Sequence, residues 1–240
     1  MSSLGNSVFI TDINPLQSST VQQMQLGSMG YDRVNRTYRY CLAGGSALVA
    51  GNLLQSEARD TAFTDMAVQA AAAVGATQIS VTLGATATTA NLFTEGTLAI
   101  TSSTGIGQTF TIKSHTVAAG AATCTFTVEE PIVTALTTSS KVTISTNLYA
   151  RVIQSPTART GKIVGVALLA IPASSYGWIG TKGVFAVLSD ATIAAVGEAL
   201  SPSTTTAGCV TKQVTLLETV GSAHLLGISA KCEPAFISIN

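Results

Sequence analysis

Charge is what this chain has least of. Asp, Glu, Lys and Arg make up 10% of its 240 residues, twelve basic and twelve acidic, for a formal net charge of zero. A typical soluble domain carries roughly 25%. Neither sign forms a run, so no Lys/Arg patch can be assembled to neutralise phosphates, and nucleic acid is excluded as a partner. Charge also keeps monomers apart. A chain this poor in it is expected to have much of its surface covered by neighbouring proteins; the plainer alternative is a soluble, Thr-rich β protein.

Other absences narrow the function further. The most apolar stretch, Ile163 to Ile171, stops at Pro172, about half of the ~20 residues that a spanning helix needs. No membrane partner is expected. The first residues, Met1-Ser2-Ser3-Leu4-Gly5-Asn6, lack a basic stretch followed by an apolar one, so no signal peptide is read and assembly in a cytoplasm is expected. The four cysteines, Cys41, Cys124, Cys209 and Cys232, contain no CxxC and no metal-ligand spacing. All four are expected to be reduced and structural, with Cys124 on the same strand face as Phe126 and Val128.

Catalytic signatures are missing as well. His115 and His224 are the only histidines, and neither has a cysteine or carboxylate beside it in a ligand pattern. Glu129 and Glu130 are adjacent, and neighbours on a strand point to opposite faces, so they cannot share a substrate without a bulge. There is no GxSxG and no P-loop, and Gly105-Ile106-Gly107 leads into a strand pattern where a phosphate site needs a helix. Asp12-Ile13-Asn14 starts like a calcium loop and does not continue as one. No enzyme, metal or cofactor is expected.

What is present is β-sheet chemistry. Apolar residues reach 46% and the mean hydropathy is +0.43, yet the polar remainder is mostly Thr and Ser. Thr is stiff at χ1 and suits the exposed face of a strand. Short alternating runs recur at Thr37–Leu42, Gln78–Leu83, Thr97–Thr101, Thr109–Lys113, Thr123–Glu129 and Lys141–Ser145, separated by Gly, Ala-Gly or Thr-Ser turns. That rhythm predicts an all-β barrel or sandwich. Lys162–Ile171 reads as a central strand covered on both faces. Tyr176–Ile179 and Val184–Leu188 read as strands flanking a turn at Gly180-Thr181-Lys182-Gly183, and Val214–Leu217, Leu225–Ser229 and Ala235–Ile239 as the closing strands. One helix is predicted, over Asp65–Val74, where Ala dominates.

Texture divides the chain into three parts. Residues 1–35 read as an extended N-terminal arm, with apolar islands at Val8-Phe9-Ile10 and Val21–Met24 and no face to bury. Such an arm orders only on a partner surface. Residues 36–56 with 151–240 read as one β domain, and 57–150 as an inserted Ala/Thr-rich β domain. Candidate partner contacts are Phe9, Ile10, Met24, Leu26 and Tyr31, with Tyr38, Tyr40 and Trp178. Aromatic residues dominate binding hot spots, but they also fill cores short of large side chains.

Two stretches carry a family resemblance. The first is Tyr38-Arg39-Tyr40-Cys41-Leu42-Ala43-Gly44 leading into Ala47-Leu48-Val49-Ala50-Gly51-Asn52-Leu53-Leu54-Gln55, after Leu26-Gly27. The second is Gly165-Val166-Ala167-Leu168-Leu169-Ala170-Ile171-Pro172-Ala173-Ser174-Ser175-Tyr176-Gly177-Trp178-Ile179, then Lys182-Gly183, Thr206-Ala207-Gly208 and Leu226-Gly227-Ile228. Together they resemble the capsid decoration, or cement, proteins of tailed bacteriophages. The resemblance covers about 36–56 and 151–240, and 57–150 is similar to the insert that some members carry. It implies a barrel-like domain on the exterior of the virion capsid, an arm running along the major capsid protein, and self-association, often as trimers. It carries over no catalytic residues. The insert makes this chain larger than the minimal members. A tail or fibre component, or a host-surface adhesin, is the alternative expectation. A polysaccharide-degrading enzyme is disfavoured by the missing carboxylate and histidine constellations.

Overall fold

The computed structural model describes residues 14–190, 192–193, 195–213, 218–225 and 227–239, and the backbone of 7–9. Two compact units divide the chain, one of Met1–Ala58 with Leu148–Asn240 and one of Arg59–Asn147. The first 58 residues supply β1 (Ser7–Phe9), β2 (Ser18–Ser19), β3 (Met29–Tyr31), β4 (Thr37–Leu42) and β5 (Leu53–Gln55). The inner unit holds β6 (Met66–Ala67), β7 (Gln78–Thr82), β8 (Thr97–Ser102), β9 (Thr109–His115), β10 (Thr123–Val128) and β11 (Lys141–Ser145). The chain then returns through β12 (Ile153–Gln154), β13 (Ile163–Ala167), β14 (Tyr176–Leu188), β15 (Ala199–Pro202), β16 (Val210–Lys212), β17 (Gly221–Ala223) and β18 (Cys232–Ser238). The fold is all-β, and the described residues contain no α-helix.

The inner unit is a nearly closed barrel with strand order β6-β11-β8-β9-β10-β7, and a Val68–Val81 bridge links its two ends. Its strands alternate cleanly: Cys124, Phe126 and Val128 face inward while Thr123, Thr125 and Thr127 face out. Threonine on one face and branched or aromatic side chains on the other are what set this register. The core includes Phe63, Ile79, Leu98, Ile112, Phe126, Leu136 and Ile144 and draws every member from within the unit. Each such side chain contributes about 1.5–3 kcal/mol by leaving water.

The outer unit is one twelve-stranded sheet curled into a half-barrel. Its main path runs β1-β3-β4-β14-β18-β17-β15-β16, with β5, β12, β13 and β2 attached beside it. All five residues of β13 are buried, as a doubly covered strand requires.

One local device recurs in both units. Leu48 and Ile171 exchange both backbone hydrogen bonds, and so do Ala72 and Leu136, Thr88 and Ala118, and Ile193 and Gly227. Three residues after most of these, the chain enters the left-handed region, at Gly51, Gly75, Asn91, Ala121, Ser174 and Ala230. That residue's N–H then reaches back to the partner segment: Gly51 to Ala167, Ser174 to Gly44, Gly75 to Ile132, Ala121 to Gly84. In the inner unit the pairs 72/136 and 88/118 relate the half carrying β6, β7 and β8 to the half carrying β9, β10 and β11, a pseudo-twofold arrangement.

Several expectations are corrected. The predicted helix over Asp65–Val74 is absent. A 3-10 turn at Thr61–Phe63 and β6 occupy this region, and Val68, Gln69 and Ala72 donate to Ser140, Ser80 and Leu136 of neighbouring segments. Sheet pairing and burial of Met66 and Val68 override the helix propensity of alanine. The expected turn at Gly180-Thr181-Lys182-Gly183 lies inside the continuous strand β14. Its glycine serves close packing, since a Cβ on Gly180 would meet the Phe185 ring at 2.7 Å, and the pairing with β4 shifts register between Gly180 and Lys182. The described residues of Leu225–Ser229 form no strand and carry the isolated Ile193–Gly227 bridge and a Leu225 N–H bond to the Pro234 carbonyl, and Val214–Leu217 lies outside the described residues. Cys41, Cys124 and Cys209 are buried thiols, but Cys232 is exposed.

The arm is also revised. Residues 18–31 join the outer unit's own sheet: β3 pairs with β4, β2 with β14, and β1 runs parallel to β3. The 18–31 stretch, which carries no charge and one of the apolar islands, pairs within its own chain.

Candidate functional site

The aromatic residues converge. Tyr38 and Tyr40, two apart on β4, share a face, and the antiparallel register sets Tyr40 opposite Trp178 and Tyr38 opposite Gly180. Tyr40 and Tyr176 stack with rings 6.0 Å apart, and Trp178 meets Tyr40 edge-on at 5.3 Å. Tyr38 meets Phe185 edge-on at 5.7 Å. Tyr38, Tyr40 and Trp178 are 2–3% exposed. They are core residues of the outer unit, so of the two roles open to them in sequence it is the packing role that they fill. Met24 and Leu26 pack against the same core, partly buried. Tyr31 is 41% exposed. The backbone of Phe9 lies in β1, and Ile10 lies outside the described residues.

The tyrosine hydroxyls are anchored locally. Tyr38 donates to Asp32 Oδ2 at 2.9 Å, and the same carboxylate accepts from the Arg36 N–H and Nε at 2.9 and 2.7 Å. Burial alone would raise the Asp32 pKa, but these bonds hold it below the usual carboxylate value. Burial and the bond to Asp32 push Tyr38 up to about 12. The Tyr40 hydroxyl accepts from the Gln23 N–H at 3.1 Å.

Beside these rings lies a cleft. Tyr40, Tyr176 and Trp178 form one wall, and Asn14, Gln17, Ser18, Ser19 and Gln23 form the other. Its inner cavity is about 50 Å³, within a space of about 330 Å³ that includes the mouth. Among the described residues no charged side chain lines it. The sequence marks Tyr40 and Trp178 of the aromatic wall and gives no sign of the polar one, because Ser and Gln in a loop carry no periodic signal.

Two further groupings bring chemical residues together. On β9 and β10, His115 Nδ1 lies 3.7 Å from Cys124 Sγ, a pairing hidden in sequence by a nine-residue separation. His115 Nε2 accepts from the Phe93 N–H at 3.0 Å, so the ring proton sits on Nδ1 and donates to the Thr116 carbonyl at 2.9 Å. Burial lowers the histidine pKa and raises that of the thiol. Both groups are neutral, and with His115 and Cys124 only 5% and 0% exposed the pair is a core contact. In the outer unit, Asp190 accepts from the hydroxyls of Ser203 and Thr205, and Ser203 Oγ accepts from the N–H groups of Thr205 and Thr206. This ties the 203–208 loop down. Glu130 is bonded to Thr111 by its N–H and hydroxyl, and these bonds lower its pKa against burial, which raises it.

Among the described residues, no three His, Cys, Asp or Glu side chains are grouped to hold a metal ion. No helix there is long and apolar enough to cross a membrane. No protein-family model, curated protein or solved structure matches the chain.

Proposed function

We propose that this chain is a virion structural protein, a capsid decoration or cement protein that binds the exterior of a phage head and stabilises its shell of major capsid protein. The observation that supports the reading is spatial. The two stretches that carry the family resemblance lie more than a hundred residues apart in sequence, yet they pair with each other: β4 with β14, β5 with β13, and Leu48 with Ile171. The resemblance therefore describes one contiguous part of the outer unit. In this reading the chain is not an enzyme, and the 59–147 barrel is an insert.

Docking rests on backbone pairing and apolar burial, in keeping with the low charge. β1 stands at one end of the strand order and offers its outer edge to a strand of the major capsid protein, with the exposed Tyr31 in register with its Phe9. Self-association as trimers multiplies a modest affinity by avidity. The test is binding of purified protein to capsids that lack it. Attachment should survive 1 M salt, which cuts the Debye length to about 3 Å, and should fail in urea. Decorated capsids should also melt at higher temperature than bare ones. Release by salt alone, or an unchanged melting temperature, refutes the reading.

A second reading, a tail or fibre component or host-surface adhesin, is favoured by one feature of the inner unit. Val74, Ile106 and Val133 are 64–74% exposed. Gln108 clamps the loops carrying two of them, donating to Gly105 and Thr134 carbonyls and accepting from the Val133 and Thr134 N–H groups. Electron microscopy of labelled particles separates head from tail.

A further inference from the structure

We propose that the cleft between residues 14–23 and the Tyr40–Tyr176–Trp178 wall binds a neutral sugar residue. This goes beyond a place on the phage head and does not depend on it.

Three properties of the cleft converge on that ligand class. The first is unspent donors. Trp178 is 2% exposed and lines the cavity, yet among the described residues its indole N–H has no hydrogen-bond partner. The Tyr40 hydroxyl accepts from Gln23, which leaves its own hydrogen to give. Both donors can bond an acceptor of a ligand in the cleft in place of water. The second is the pairing of surfaces. One wall is aromatic, the half-buried Tyr176 ring backed by the buried Tyr40 and Trp178, and the other is made of short hydroxyl and amide side chains. A pyranose has the complementary form, an apolar C–H face and a rim of hydroxyls that both donate and accept. The third is neutrality: among the described residues no Lys, Arg, Asp or Glu lines the space, which disfavours sialic acid, phosphates and charged peptides.

Backbone geometry agrees. The cavity, about 50 Å³, holds about three to five waters at roughly 10–15 Å³ each, which hydroxyls at one edge of a ring would replace while the rest of the ring stays in the open mouth. A peptide would need a free strand edge to pair with. Here Tyr176 and Gly177 of β14 are already paired with Ser19 and Ser18 on one strand and with Leu42 and Cys41 on another. The cleft offers side chains to a ligand and no unpaired ladder.

Trp178 is the only tryptophan in the chain, so its fluorescence reports on the cleft alone. The experiment titrates the full chain with methyl glycosides of glucose, galactose, mannose and N-acetylglucosamine, and follows the same sugars by saturation-transfer NMR. At least one should give a saturable change in emission, with a dissociation constant on the order of millimolar. The Gln17 side chain makes no hydrogen bond among the described residues, so Gln17→Ala should weaken binding by about three- to tenfold and leave the thermal midpoint unchanged. Tyr176→Phe, which keeps the ring, should weaken it similarly. No saturable response by either method overturns the proposal. So does binding that both substitutions leave untouched, or a response to uncharged Ser- and Asn-containing peptides with none to glycosides.

Discussion

Gly51 and Cys232 lie in van der Waals competition: a Cβ built on Gly51 would overlap the Cys232 sulfur. Gly51 also has φ of +81° and sits in the turn that follows the Leu48–Ile171 exchange. Two separate penalties therefore meet at one residue, a left-handed backbone that disfavours a side chain and a steric wall.

The first prediction separates them. Gly51→Ala should destabilise the outer unit by about 2–5 kcal/mol, combining a backbone cost of about 1–2 kcal/mol with overpacking of about 1–3. In a Cys232→Ala background the same change should cost only the backbone part. A double-mutant cycle by urea denaturation measures the coupling. Equal costs in both backgrounds would show that the sulfur moves aside freely.

A second prediction concerns pH. The folded pKa of Asp32 is depressed, so its contribution to stability is complete above the unfolded value of about 4 and is lost as pH falls through the folded value. Asp32→Asn should thus cost about 1–2 kcal/mol at pH 7 and progressively less below pH 4. Tyr38 works at the other end. Its folded pKa is raised to about 12, so its contribution is complete below about 10 and fades as pH rises towards 12. Phenolate absorbance in Tyr38→Phe should lack one late-titrating group that wild type shows. A penalty for Asp32→Asn that stays constant from pH 7 to pH 2 would remove the linkage.

How much of this could be read in advance differs by level. Strands such as Thr37–Leu42 and Lys141–Ser145 were legible to the residue, because a one-residue slip would bury threonine and expose valine or leucine. The Ala-rich 65–74 segment was misread because propensity is local and the pairing of Ala72 with Leu136 is not. The same limit hid the four exchanged pairs: their turn residues vary from Gly to Asn, Ala and Ser, and the shared feature is a backbone dihedral. Glycine at 180 is the converse case, a turn signal in sequence that serves packing against Phe185. At the candidate site the aromatic wall was visible in sequence, and the cleft was not. It forms only when residues 14–23 fold back onto β14.

The third prediction is that residues 59–147 fold alone. Their core draws on no residue outside the unit, and their two ends approach each other, with the Asp65 N–H donating to Thr143 Oγ1 at 3.1 Å. The excised barrel should unfold cooperatively with dispersed amide resonances. The reciprocal chain, with 59–147 replaced by a short Gly/Ser linker, should also fold, since loop-closure entropy changes slowly with length. A molten spectrum for either product would contradict the division.

The last prediction concerns residues 1–35. As an arm that orders only on a partner, this segment would be dispensable to the fold; as part of the sheet, it is not. β3 donates a ladder to β4, Met24 and Leu26 cover the aromatic core, and the Gln23 N–H bonds the Tyr40 hydroxyl. Removing the segment strips these contacts together and exposes one face of Tyr40 and Trp178 to water. Deletion of 1–35 should lower the stability of the outer unit by several kcal/mol, at about 25 cal/mol per Å² of apolar area uncovered, and shift Trp178 emission to longer wavelength. Deleting only residues 1–6 should leave the emission unchanged, because the segment on which the indole packs is retained. The inner barrel serves as the internal control, and its unfolding transition should be the same in all three chains. If the 1–35 deletion keeps a wild-type midpoint and a blue Trp178 spectrum, the pairing of β3 with β4 contributes nothing to the fold. The segment would then be available, after all, to pair with another chain.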